Sequence, residues 1–151
     1  MPPDEPSPLE LITQFVPHNQ ALGIRFVSGG QGCVTLALPY DAKLVGNPLT
    51  GVIHGGAITA MLDAACGIAV ISKLDSPMLV ATLDLRIDYL RPATPKLEVQ
   101  ARAECFKVTR QVAFVRCEAF QEGVEDGAVA IANGTFMVFR GRLRDAVRGG
   151  A

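Results

Sequence analysis

Hydrophobic and polar residues follow two rhythms along this chain, one helical and one alternating. From Ala57 to about Ile71, apolar residues run at helical length, broken by a single charge, Asp63. At 100° per residue, Ile58, Leu62, Ala65 and Ala69 fall in one narrow stripe suited to packing on a sheet. The opposite side carries Gly56, Ala60, Asp63 and Gly67, small residues around one carboxylate. Val70 and Ile71 flank that side, so the helix is apolar nearly all round and reads as buried.

Downstream the rhythm changes to a period of two. After a turn at Asp75-Ser76-Pro77, residues 80–90 place Leu83, Leu85, Ile87 and Tyr89 on one face and Thr82, Asp84, Arg86 and Asp88 on the other. Arg91-Pro92-Ala93-Thr94-Pro95 ends that strand. Leu97 to Phe106 alternates again, with Leu97, Val99, Ala101, Ala103 and Cys105 together. Gln111 to Phe120 and Ala128 to Phe139 complete the sheet, joined by QEGVEDG. Upstream, Ser7, Pro8 and Glu10 supply an N-cap, a first-turn proline and a capping-box acid, predicting a short helix to about Val16. Pro17 is expected to stop it and His18 to lie, solvated or capping, in the exit loop. Leu22 to Val27 and Cys33 to Leu38 form a hairpin across SGGQG, and residues 39–50 form a loop into the long helix. One long buried helix against a largely antiparallel sheet is an α+β domain.

Composition narrows the possibilities. The chain has 151 residues, 49% of them hydrophobic, and a formal net charge of −1, which fits one globular domain. We assign residues 7–140 to that domain, 1–6 to a flexible tail and 141–151 to a flexible basic tail. The balanced charge gives no support to nucleic-acid binding. No apolar run is expected to span a membrane, and the opening MPPDEPSP is acidic and proline-rich rather than a signal peptide. The four cysteines, Cys33, Cys66, Cys105 and Cys117, lie in apolar patterns without CxxC spacing, and there are two histidines. That favours buried thiols in a reducing cytoplasm over a zinc site; no metal and no cofactor are expected.

The candidate chemistry lies in Asn47 to Gly67. A lone carboxylate in an apolar helix needs a reason, because burying an unpaired charge is costly. The helix opens with Gly55 and Gly56, which lack side chains to shield the partially positive N–H groups of the first turn. A carbonyl oxygen could approach there and be stabilised as an oxyanion. Asp63 follows Gly55 by eight residues, roughly 12 Å along a helix axis. If both serve one reaction, they come from different chains across a dimer axis.

This run, N-P-L-T-G-V-I-H-G-G-A-I-T-A-M-L-D-A-A-C-G, resembles the signature of hotdog-fold acyl-CoA thioesterases, in particular the PaaI-like (phenylacetate-degradation) subgroup. The resemblance covers the chain from about Leu9 to Phe139. One departure is that Asn47 stands seven residues before His54, where six is more usual. The resemblance implies a hotdog fold, a long central helix wrapped by an antiparallel sheet, and hydrolysis of an acyl-CoA to a carboxylic acid and free CoA. It assigns the Gly55 N–H to the thioester oxygen, His54 to the same carbonyl region and Asp63 of a neighbouring subunit to the role of nucleophile or general base. Asn47 and Thr82 would position the water or the carboxylate. It also implies a homodimer or homotetramer with active sites at the dimer interface.

A thioester is activated enough for one carboxylate and an oxyanion site to suffice, and no G-x-S-x-G elbow is present. Arg91, Lys107 and Arg110 are candidate contacts for the CoA phosphates. Gly56, Leu49, Val52 and Met61 are candidate substrate contacts, the last three as an apolar lining for the acyl group. The competing readings are a non-catalytic acyl-CoA sensor using the same pocket, and a hotdog hydratase, whose Asp and His stand in a different local pattern.

Overall fold

The computed structural model describes residues 5–76 and 79–140. Most of the expected tail residues, and Pro77 of the expected turn, lie outside them. Pro8–Phe15 form α1, capped by the Ser7 hydroxyl, which accepts from the Glu10 N–H at 3.2 Å. Pro17 does more than stop this helix. A residue before proline is pushed to extended backbone, and Val16 sits at φ −78° and ψ 115°. Pro17, with φ preset for a helix, then opens α2 (Pro17–Leu22). His18 therefore lies in a helix rather than a loop, and Leu22 closes that helix instead of opening a strand.

The hairpin is β1 (Arg25–Gly30) and β2 (Cys33–Leu38). It turns through Gln31 and Gly32 at φ 53° and 91°, the left-handed pair that matches the twist of a two-residue turn. The expected loop at 39–50 contains a 3-10 turn (Ala42–Leu44) and β3 (Val45–Asn47), which pairs with β4 (Val52–Ile53). This small hairpin delivers the chain to α3 (Gly55–Lys73). Gly46 allows the close approach, since a Cβ there would lie 2.8 Å from the Cα of His54.

β5 (Leu79–Tyr89), β6 (Val99–Val108), β7 (Val112–Phe120) and β8 (Ala130–Phe139) follow. With β1 and β2 they form a six-stranded sheet in the order β1-β2-β6-β7-β8-β5, every neighbour antiparallel. Its inner face is paved with small residues, among them Ala101, Ala103, Ala113, Ala119 and Ala130, all 0% exposed, so α3 nests close to the sheet. Ile58, Leu62, Ala65 and Ala69 of α3 meet that face at 2% exposure or less. This is the α+β arrangement expected, a long central helix wrapped by an antiparallel sheet. By length and composition alone α3 could cross a membrane, contrary to the sequence reading, but half of that stretch is buried within the fold.

Register shifts at Phe26/Ser28, Thr82/Asp84 and Cys105/Lys107 each add one residue to a strand. Such bulges bend the strand and increase its twist, which helps the sheet curl around α3. The bulge in β5 also corrects the expected alternation. Leu83 is the extra residue and is 52% exposed, so Val80 and Thr82 share the inner face with Leu85. Leu97, expected inward, precedes β6 and is 40% exposed. Cys66, Cys105 and Cys117 are buried, whereas Cys33 is exposed, against expectation. A hydrogen bond to Cys117, together with burial, pushes the Cys66 thiol up in pKa.

Candidate active site

Asp63 lies midway along α3, on the face built from Gly56, Ala60 and Gly67, and is partly buried. These small residues leave a groove between α3, the inner face of the sheet and the paired helices α1 and α2. Its volume is about 500 Å³. Ile68, Ile71, Val80 and Phe136 make one end apolar, and Ile12 and Val16 contribute from the N-terminal segment. Asp63 is the carboxylate in this lining, and its Oδ1 accepts from the Thr82 hydroxyl at 2.7 Å. That bond depends on the β5 bulge. Without the extra residue Leu83, Thr82 would face away from the helix, as strict alternation predicts. One carboxylate oxygen is thus oriented by a neutral donor.

A second constellation occupies the start of α3. His54 is its N-cap, fixed by its own N–H to the Leu44 carbonyl at 2.8 Å. Its ring Nδ1 accepts from the Gly56 N–H at 2.8 Å. In the neutral ring this puts the proton on Nε2, as a donor. Gly55 is the first helical residue, so its N–H has no partner inside the helix. Tyr89, at the end of β5, donates its hydroxyl to the Gly55 carbonyl at 2.6 Å and lies 2.6 Å from the Thr59 hydroxyl. Gly55, Tyr89, Val52 and Arg91 line a cleft of about 390 Å³. Within one chain, therefore, Gly55 opens to this cleft and Asp63 to the groove.

The remaining sequence candidates fall elsewhere. Asn47 turns its side chain onto its own loop, where Oδ1 accepts from the Leu49 N–H at 3.0 Å, and its carbonyl accepts from Gly51 at 2.8 Å. It orders the turn before His54 and makes no hydrogen bond to Asp63. Leu49 is 94% exposed at that turn, outside both cavities. Met61 is 0% exposed and belongs to the core under the sheet, not to a pocket wall; its 100° steps place it beside Leu62 and Ala65. The guanidinium of Arg91 is committed to the fold. It donates to the Gly127 carbonyl at 3.1 and 2.9 Å, to Pro92 at 3.1 Å and to Gln121 at 3.4 Å, which does not favour the expected phosphate role. Lys107 sits beside Lys73, at the far end of α3 from His54, and Arg110 is exposed in the turn between β6 and β7.

Two features were missed. Tyr89 reads in sequence as one more apolar strand residue, and nothing local marks its hydroxyl. The α1–α2 wall depends on a helix that the proline signal concealed. Among the described residues, no group of three or more His, Cys, Asp or Glu side chains is placed to hold a metal ion.

Comparison with known proteins gives this geometry a setting. Residues 50–128, more than half of the chain, match the family described as Thioesterase superfamily. The chain is similar to the medium/long-chain acyl-CoA thioesterase YigI of Escherichia coli (strain K12), at 30% identity over 142 residues, covering 85% of this chain and 90% of that protein. Among solved structures it is similar to a Pseudomonas aeruginosa protein, with 40% identity and a TM-score of 0.77, covering 85% of this chain and 95% of that one. It is also similar to a mutant of the phenylacetic acid degradation protein PaaI from Thermus thermophilus, with 29% identity and a TM-score of 0.71, covering 82% of this chain and 100% of that one.

Proposed function

The chain belongs to the Thioesterase superfamily, with the hotdog fold, and is a thioester hydrolase; on that premise we propose that its substrate is an acyl-CoA and that Asp63 drives the hydrolysis. The observation that carries this reading is the Asp63 carboxylate, oriented by Thr82 at 2.7 Å, halfway along an otherwise largely apolar groove. Such a groove suits an acyl chain, and YigI, a relative over most of its length, is named for medium- and long-chain acyl-CoA.

In this reading Asp63 is the general base. The oxygen not held by Thr82 takes a proton from water, and the water oxygen attacks the thioester carbon. The charge that develops on the carbonyl oxygen meets the Gly55 N–H, where a preoriented donor contributes most, and His54 helps hold the same carbonyl region. The C–S bond then breaks, and the departing CoA thiolate takes the proton from Asp63. The products are a carboxylic acid and free CoA. Asn47 acts one step removed, by ordering the turn that leads to His54.

Because Gly55 and Asp63 open to different cavities of one chain, the reaction requires a second copy that supplies the missing half. The free edge strand β5 carries Leu79 at 40% and Leu83 at 52% exposure, with Leu90 beyond it at 56%. An exposed apolar edge is a template for pairing. Pairing there gives a homodimer with active sites at its interface, which two dimers can double to a homotetramer.

The test is free-thiol release from a panel of acyl-CoAs by the wild type and by Asp63→Asn, with light scattering for the oligomeric state. Turnover by the wild type and near-complete loss in the variant, with binding retained, supports the reading. Binding without thiol release by either protein makes the chain an acyl-CoA sensor. If Asp63 attacks the carbonyl itself, CoA leaves and a mixed anhydride forms. Water opening it at the Asp63 carboxyl carbon, in a single turnover in ¹⁸O-water, puts the label on Asp63 and leaves the new oxygen of the acid unlabelled.

A further inference from the structure

The glycines that leave the start of α3 bare also leave it loose, because glycine retains more backbone freedom than any other residue. A preoriented donor needs that freedom removed by something outside the glycines. From the hydrogen bonds around Gly55 we infer that Tyr89 is a positioning residue, which locks the Gly55–Gly56 peptide and, through it, His54 in the arrangement that receives the thioester oxygen. This inference rests on the thioesterase reading above.

The peptide is held at both ends. The Tyr89 hydroxyl donates to its carbonyl at 2.6 Å, and its N–H, on Gly56, donates to His54 Nδ1 at 2.8 Å. A hydroxyl has one proton to give, so at the 2.6 Å contact the Thr59 hydroxyl donates and Tyr89 accepts. The result is a directed chain, Thr59 to Tyr89 to the Gly55 carbonyl, then Gly56 N–H to His54. Donors in series polarise one another, which strengthens the Gly56 bond and holds the His54 ring with its Nε2 proton outward. The ring of Tyr89 also fills the space beside Gly55, where a Cβ would lie 3.4 Å from Cζ. Tyr89 is 48% exposed and lines the same cleft as Gly55. A residue kept only for packing would have no need of that polar tip at the open cleft.

The experiment is Tyr89→Phe in the full chain, which keeps the ring and removes the lock. Losing an oxyanion donor outright costs about 10²- to 10³-fold, so loosening one should lower kcat by about tenfold. KM for the best acyl-CoA stays within about twofold, because ground-state binding is untouched. Exchange of the Gly56 amide, read by NMR, accelerates by about tenfold while the amides of Ala65 and Ala69 stay as in the wild type. Thr59→Val removes the hydroxyl that feeds Tyr89 and leaves Tyr89 itself in place. If Tyr89→Phe fails to fold, this variant carries the test, with a loss of about threefold in kcat at constant KM. An unchanged kcat, a change confined to KM, or unaltered Gly56 exchange overturns the inference while the thioesterase reading stands. A wild type that releases no thiol overturns that reading, and this inference with it.

Discussion

The two faces of α3 obey the same helical rhythm and differ in one property, side-chain volume. Toward the sheet, Ile58, Met61, Leu62, Ala65 and Ala69 are packed to 2% exposure or less. Toward the groove, Gly56, Ala60 and Gly67 give up volume around Asp63. Neither face is polar in the ordinary sense, so polarity alone would not have separated them. Each helical glycine costs about 1 kcal/mol relative to alanine. Burying Met61 and Leu62 contributes about 2–3 kcal/mol apiece, which offsets that cost. The packed face thus sustains a neighbour that is under-filled, and the Asp63 carboxylate sits where the volume is missing.

Substitutions that exchange the properties of the two faces should break the comparison most severely. Asp63→Asn keeps shape and volume on the groove face and should lower acyl-CoA turnover by about 10²- to 10⁴-fold, the range of a general base. Its urea midpoint should move little, because Asp63 is only partly buried. Leu62→Ala makes the reverse cut. It opens a cavity at a position that is 0% exposed and should cost about 3 kcal/mol in urea unfolding, while the turnover of the folded fraction changes by less than about twofold. Equal damage to activity and stability in either variant would mean that the faces are not separable.

Much of this division is legible in the amino-acid sequence. The stripe Ile58, Leu62, Ala65, Ala69 and its opposite Gly56, Ala60, Asp63, Gly67 follow from a 100° step, and both are observed. What periodicity missed was set by tertiary geometry. The alternation of Thr82 to Tyr89 is perfect in sequence, yet a bulge at Leu83 reverses it for Thr82. The one local hint was Gly134 in the middle of β8, since a strand glycine often marks a close approach. A Cβ there would lie 3.1 Å from Leu85 and 3.3 Å from the Asp84 carbonyl. The charge of Arg91 suggests a phosphate contact, but its donors are spent on carbonyls brought close only by folding. Met61 is a candidate by hydrophobicity alone, which a core and an acyl pocket share.

Two smaller changes sharpen the contrast. Thr82→Val removes the 2.7 Å bond to Asp63 without changing the shape of the side chain. A hydrogen bond to a charged group is worth about 1.5–3 kcal/mol when well shielded, and the partial exposure here puts the effect near the lower end. Turnover should therefore fall about tenfold, with KM nearly constant. A KM effect alone would make Thr82 part of the groove wall and leave Asp63 oriented by something else.

Gly67→Ala has the smallest expected effect and probes the idea of missing volume most directly. A Cβ at Gly67 would meet the Phe136 ring at 3.7 Å and Val80 at 4.0 Å, ordinary contacts that need no rearrangement. The backbone there is already helical, so alanine removes the entropic cost of glycine and should raise stability by about 0.5–1 kcal/mol. The added methyl also projects into the groove, one helical turn beyond Asp63. If that end receives the acyl chain, KM should rise by about two- to threefold for the bulkiest acyl-CoAs and stay level for the shortest. A more stable protein with unaltered acyl preference would show that the groove beyond Asp63 is unoccupied during the reaction, and the acyl chain would then have to lie toward Gly56.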